Sequence, residues 1–141
     1  MGLKVLSICG GIETGLIALQ ELGITVDEYH TFEIFQPAIE ISSRHFPFIH
    51  HHGNVIGADF SQFNGFDLVI AGTCCQSLSV VRQENDSICS GLNGKSGIFF
   101  EYARAVKEIH PRYFMLENVV PKYKADIDTI TANLGGQVVI T

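Results

Sequence analysis

A chain of 141 residues, 46% of them hydrophobic and 17% charged, is one domain's worth of sequence with enough apolar material for a single core. No apolar run approaches the roughly 20 residues that a membrane-spanning helix needs, and cytoplasm is the default expectation. The net charge of −6 argues against a self-sufficient nucleic-acid-binding surface, because phosphate contacts call for basic patches.

In chain order, Lys4 to Cys9 reads as a strand rather than a signal peptide, since it runs into a Gly-rich loop and not a cleavage site. Thr14 to Leu22 reads as a helix and Val26 to Ile34 as a strand. Pro37 to Arg44 is a helix with Pro in its first turn, where a missing N–H costs little. Phe48 to Val55 is a weak strand. Phe66 to Ala71 is a strong one, apolar with β-branched residues and closed by Gly72. Arg82 to Gly97 is polar and reads as a long loop of the kind that forms lids. Gly97 to Ile109 is a helix with Phe99, Ala103 and Val106 on one face, stopped by Pro111. Arg112 to Leu116 is a strand, Asp126 to Leu134 a helix ended by Gly135-Gly136, and Gln137 to Thr141 a last strand. The alternation predicts an α/β fold with a mostly parallel, doubly wound sheet. The chain stops at a strand with no closing element, so the domain is expected to be incomplete at its C-terminus.

Cys9, Cys74, Cys75 and Cys89 show no C-x-x-C spacing, which argues against a disulfide framework. His50-His51-His52 cannot easily converge on one ion from a regular element, so no metal is expected and a solvated loop is preferred. Gly10 to Gly15, between first strand and first helix, suits close approach of backbone N–H groups to a ligand. Glu33, at the end of the second strand, stands where a carboxylate can bind ribose hydroxyls. Together they point to a nucleoside-bearing ligand; a ligand-free tight turn is the plain alternative. Cys75 follows a strand end and precedes a polar loop, a place for a reactive thiol, although a small buried hydrophobe is the commonest fate of a cysteine. Glu117 ends the next strand, near the same sheet edge, where it is a candidate acid or else a cap or an Arg partner.

These residues resemble the DNA (cytosine-5) methyltransferases, especially phage and bacterial restriction-modification members and the mammalian de novo type, from Leu3 to the chain end. Leu6 to Gly15 resembles the first cofactor motif, Glu33-Ile34 the acidic ribose motif, and Gly53-Asn54-Val55 the adenine motif. Gly72-Thr73-Cys74-Cys75-Gln76-Ser77-Leu78-Ser79 is similar to the nucleophile loop, Lys95 to Tyr102 to the next helix-opening motif, and Glu117-Asn118-Val119 to the Glu-Asn-Val motif. The resemblance implies a Rossmann-like, S-adenosylmethionine-dependent core over residues 1–141, with the target-recognition region absent. It implies that Cys75 and Glu117 are catalytic. The implied cofactor contacts are Cys9, Gly11, Ile12, Glu13, Thr14, Gly15, Glu33, Ile34, Asn54, Val55, Gly72 and Ile98, and Gln76, Ser79 and Asn118 are implied to contact DNA. Cys9 stands where the family has Phe, Asn54 where it has Asp, and Cys74 where it has Pro. The implied partners are DNA and a C-terminal region, here a candidate separate chain. The rival readings are a non-catalytic or regulatory relative that binds a partner chain, and a nicotinamide-binding oxidoreductase that lacks the expected G-x-G-x-x-G.

Overall fold

The computed structural model describes residues 1–73, 92, 95–121 and 123–135. Five parallel strands form one sheet: β1 (Leu3–Ile8), β2 (Val26–Phe32), β3 (His50–His51), β4 (Leu68–Gly72) and β5 (Tyr113–Glu117), in the order β3-β2-β1-β4-β5. Among the described residues four α-helices accompany them: α1 (Thr14–Glu21), α2 (Gln36–His45), α3 (Phe99–Ile109) and α4 (Lys124–Leu134). The chain winds outward from β1 to β3, then crosses back to lay β4 on the other side of β1 and continues to β5. The predicted α/β, doubly wound parallel architecture is what the chain adopts.

Alternation along β1 builds a core on each face. Val5 joins Leu16, Tyr29, Ile49, Leu68 and Ile70 beneath α1. Leu6 and Ile8 join Phe32, Val69 and Ala71 on the opposite face, with Phe60, Phe63, Phe99, Tyr102 and Ile130 packed over them. The predicted stripe of α3 is confirmed: Phe99 and Ala103 are buried and Val106 packs against the same cluster. Truncating a buried Phe of this kind costs about 3–5 kcal/mol.

The boundaries differ where side chains compete with strand pairing. β2 ends at Phe32, not Ile34, because the Glu33 carboxylate accepts from the backbone N–H of Ile34 and of Phe35, both at 2.8 Å, and turns the chain. The weak strand expected over Phe48 to Val55 is a two-residue bridge at His50–His51, closed by Gly53 in the left-handed region (φ 77°). β4 begins at Leu68 rather than Phe66, whose N–H is held by Phe63 O in a turn. A 3₁₀ turn over Phe60–Phe63, unforeseen from the sequence, feeds two aromatics into the core. Another over Lys95–Ile98 delays α3 to Phe99. α4 starts two residues early, at Lys124, and ends as expected at Gly135 (φ 63°). The strand expected over Gln137 to Thr141, and the loop over Arg82 to Gly97 apart from residues 92 and 95–97, lie outside the described residues.

Candidate active site

β1 and β4 are neighbours whose connections leave in opposite directions, so their C-terminal ends form the crevice where open α/β sheets bind ligands. The loop after β1 carries three left-handed residues, Cys9, Gly11 and Glu13 (φ 56°, 61° and 64°). Each of the two with a Cβ costs about 1–2 kcal/mol. Cys9 is tied down by donating its N–H to Phe32 O at 2.8 Å. Gly11 donates to Glu33 Oε2 at 2.9 Å, and an ideal Cβ there would meet nothing within 4 Å, so its backbone borders open space. Glu33 thus holds the turn after β2 with Oε1, which accepts two N–H groups, and the loop with Oε2, which accepts one and has room for a further donor. Ile34 and Phe35, directly after Glu33, and Ile56, in the segment after β3, are exposed at 72%, 64% and 65%.

On the other side of the crevice, register places Gly72 directly against Glu117. An ideal Cβ on Gly72 would lie 3.4 Å from Cys9 O and 3.9 Å from Glu117 Oε2, so the ends of β1, β4 and β5 converge. Glu117 is exposed. Asn118 beside it donates its amide to Thr73 O at 3.0 Å and to Thr73 Oγ1 at 2.8 Å, while its Oδ1 accepts from Val119 N–H at 2.8 Å. The end of β5 therefore grips the last described residue before the cysteine pair. Cys74, Cys75, Gln76 and Ser79 lie outside the described residues.

The remaining predicted residues divide by what their side chains do. Gly11, Glu33, Ile34, Gly72 and Glu117 line the crevice ends just described. Ile12 and Thr14 are exposed on the loop and at the start of α1. Gly15 is glycine because a Cβ would lie 2.5 Å from Ile70 Cδ1, which lets α1 sit close to the sheet. Asn54 accepts from Ile56 N–H at 3.0 Å, spending one acceptor site on its own turn. Val55 is buried in the core with its carbonyl accepting from Ala58 N–H at 3.1 Å, and Ile98 packs against that core ahead of α3. Glu13 points inward, fully buried, and Asn118 spends its amide on protein. Tyr29, Thr31 and Thr73 escaped the sequence reading; alternation of polar Tyr29 and Thr31 on one face of β2 was the available signal. Nearby, His30 stacks between His50 and His52 (ring centroids 4.5 and 5.0 Å), and among the described residues no group of His, Cys, Asp and Glu is arranged to hold a metal.

The family model for the C-5 cytosine-specific DNA methylase matches residues 3–127. The chain belongs to that family. It is 32% identical over 124 residues to the orphan methyltransferase M.Rho11sI of Bacillus phage rho11s, covering 83% of this chain and 23% of the relative. It is 31% identical over 124 residues to the orphan methyltransferase M.SPRI of Bacillus phage SPR, covering 83% and 26%. The type II methyltransferase M.NgoBV of Neisseria gonorrhoeae shares 26% over 119 residues, 84% of this chain and 27% of its own. The chain thus spans about a quarter of the length of these relatives. The fold matches the Schizosaccharomyces pombe Dnmt2 methyltransferase at a TM-score of 0.65 and 21% identity, over 93% of this chain and 42% of that one.

Proposed function

We propose that this chain is the cofactor- and nucleophile-bearing N-terminal part of a DNA cytosine-5 methyltransferase. The observation that carries the proposal is the convergence of Glu117 on the end of β4, one residue before Thr73 and the Cys74-Cys75 pair, beside the loop held by Glu33. S-adenosylmethionine, when bound, supplies an activated methyl group. The residues present suit it: an approachable backbone at Gly11, a carboxylate at Glu33 for ribose hydroxyls, and bare apolar side chains at Ile34 and Ile56 for a flat base.

In the proposed reaction the target cytosine leaves the duplex, because its C5 and C6 are unreachable within the stack. The Cys75 thiolate adds to C6, forming the S–C6 bond and pushing the C5–C6 electron pair onto C5 and the ring. Glu117 holds a proton at N3 and so neutralises the negative charge that develops there. C5 takes the methyl group as the cofactor's S–CH3 bond breaks and its sulfur leaves as the neutral thioether of S-adenosylhomocysteine. C5 then loses its proton to a base, and the returning electron pair re-forms C5=C6 as the S–C6 bond breaks and Cys75 is released as thiolate. Asn118 fixes Thr73 and thereby the entry to the nucleophile loop. Gln76 and Ser79 contact the flipped nucleotide.

The net charge of −6 argues against duplex binding by this chain alone, and β5 leaves Tyr113, Phe114 and Met115 exposed at 49%, 39% and 56%. Parallel sheets are ordinarily covered on both faces. Both facts support a C-terminal region, in the same or a separate chain, that covers β5 and supplies target recognition.

The test is trapping on DNA containing 5-fluorocytosine, whose fluorine blocks the final elimination, with this chain joined to the C-terminal region of the rho11s phage relative. Cys75→Ser abolishes the trapped adduct and Cys74→Pro preserves it. Loss of trapping in Cys74→Ser but not in Cys75→Ser would overturn the assignment.

A further inference from the structure

Glu13 is a fully buried carboxylate in the loop that otherwise borders the crevice. Tyr29 OH donates to its Oε2 at 2.8 Å and Thr31 Oγ1 donates to its Oε1 at 2.5 Å. Among the described residues its side-chain partners are hydroxyls, not cations. Tyr29, Thr31 and the neighbouring Ser7 are themselves buried. Burial, and then the Glu13 charge, push the Tyr29 pKa up, so the phenol stays a donor. A Cβ on Gly10 would collide with Glu13 Oε2 and Ser7 Oγ, so the glycine makes room for the carboxylate.

The backbone of Glu13 is equally committed. It is left-handed, donates its N–H to Gly10 O at 3.0 Å, and its carbonyl accepts from two N–H groups of the first turn of α1, Leu16 at 3.1 Å and Ile17 at 3.3 Å. A left-handed residue with a Cβ persists only where its surroundings over-determine it. Here β2 and the residue that follows it do so from two directions: Tyr29 and Thr31 hold Glu13 from beneath, and Glu33 takes the Gly11 N–H at the open end.

We propose that Glu13 is a positioning residue for the cofactor: anchored on Tyr29 and Thr31, it sets the left-handed turn that presents the Gly11 backbone, with Glu33, to the adenosyl group. This rests on the cofactor reading above and adds that a carboxylate out of the ligand's reach governs its affinity.

Titration calorimetry of the 141-residue chain with S-adenosylhomocysteine reads it directly. Glu13→Ala weakens binding about tenfold, the worth of one hydrogen bond to a charged group. Glu13→Gln, which keeps the volume and one accepting oxygen, restores most of it. Glu13→Gly relieves the backbone but lacks the anchor, and binds as weakly as Glu13→Ala. Tyr29→Phe added to Glu13→Ala costs nothing more, because its partner is already gone. Ile109→Ala, in the core away from the loop, lowers the melting temperature without a comparable loss of affinity. If Glu13→Ala does not fold, Tyr29→Phe with Thr31→Val removes the same anchor and gives the same weakening. Wild-type affinity in a folded Glu13→Ala or Glu13→Gly, or in the Tyr29→Phe, Thr31→Val pair, overturns the proposal alone. Absence of binding by the unaltered chain at millimolar ligand overturns the cofactor reading, and this proposal with it.

Discussion

Asn118 and Thr73 are joined by two hydrogen bonds from one amide, at 3.0 and 2.8 Å, across the ends of β5 and β4. The pair couples the Glu-Asn-Val segment to the chain that leads into Cys74-Cys75. Asn118→Asp keeps the shape and the acceptor for Val119 but replaces two donors with a negative charge facing a carbonyl. It is expected to cost about 1–3 kcal/mol of stability, measured as a lower denaturation midpoint. Asn118→Ala removes the bonds without the repulsion and costs less. Equal stability of Asn118→Asp and the unaltered chain would remove the clamp from the account.

Gly15 and Ile70 are a second coupled pair. An added Cβ at Gly15 would sit 2.5 Å from Ile70 Cδ1, the atom that Ile70→Val deletes. Gly15→Ala is expected to destabilise by about 1–3 kcal/mol through overpacking. Ile70→Val alone costs about 0.5–1.5 kcal/mol. The double variant is more stable than the sum of the two predicts, because the deleted methyl makes room for the added one. Additive losses in thermal or denaturant melts would show that the helix shifts instead.

The histidine stack gives the fold a pH dependence. His30 Nδ1 and His52 Nε2 lie within hydrogen-bond distance at 2.7 Å, and Glu28, Lys4, His50 and His51 are the titratable groups around them. Desolvation, first among the causes, lowers the pKa of both His30 and His52; the Glu28 hydrogen bond opposes this at His30, and the charge of His30 adds to it at His52. Below their ordinary value of about 6.5 the unfolded chain therefore takes up protons that the folded chain refuses. Stability is full above that pH and falls as pH drops below it. Denaturation midpoints at about pH 7.5 and 5.5 measure the loss, and His52→Gln should flatten it. A midpoint that rises on acidification contradicts the sign.

The fold was legible because its signals are local. The apolar runs of β1 and β4, Pro111 after α3 and Gly135 after α4 each act through their own backbone. The boundaries that moved were decided by a side chain turned back on the chain, Glu33 ending β2, and by a left-handed backbone position, Gly53 closing β3 after two residues. The candidate site was legible only as motif order: Gly11, Glu33, Gly72 and Glu117 all lie at the C-terminal ends of neighbouring strands. Side-chain direction was not. Glu13 faces the core because Tyr29 and Thr31 wait beneath it, and Asn118 faces Thr73 because β4 and β5 pair in register, facts that exist only once the sheet has formed.

The central claim, an adenosyl-cofactor site at the ends of β1 and β2, is tested most directly by titrating the chain with S-adenosylhomocysteine beside Glu33→Ala. The account predicts one-to-one binding that Glu33→Ala weakens by about 1–3 kcal/mol, the worth of a hydrogen-bonded charged group, and that NADH does not compete away. No heat at millimolar S-adenosylhomocysteine, or displacement by NADH, would contradict it.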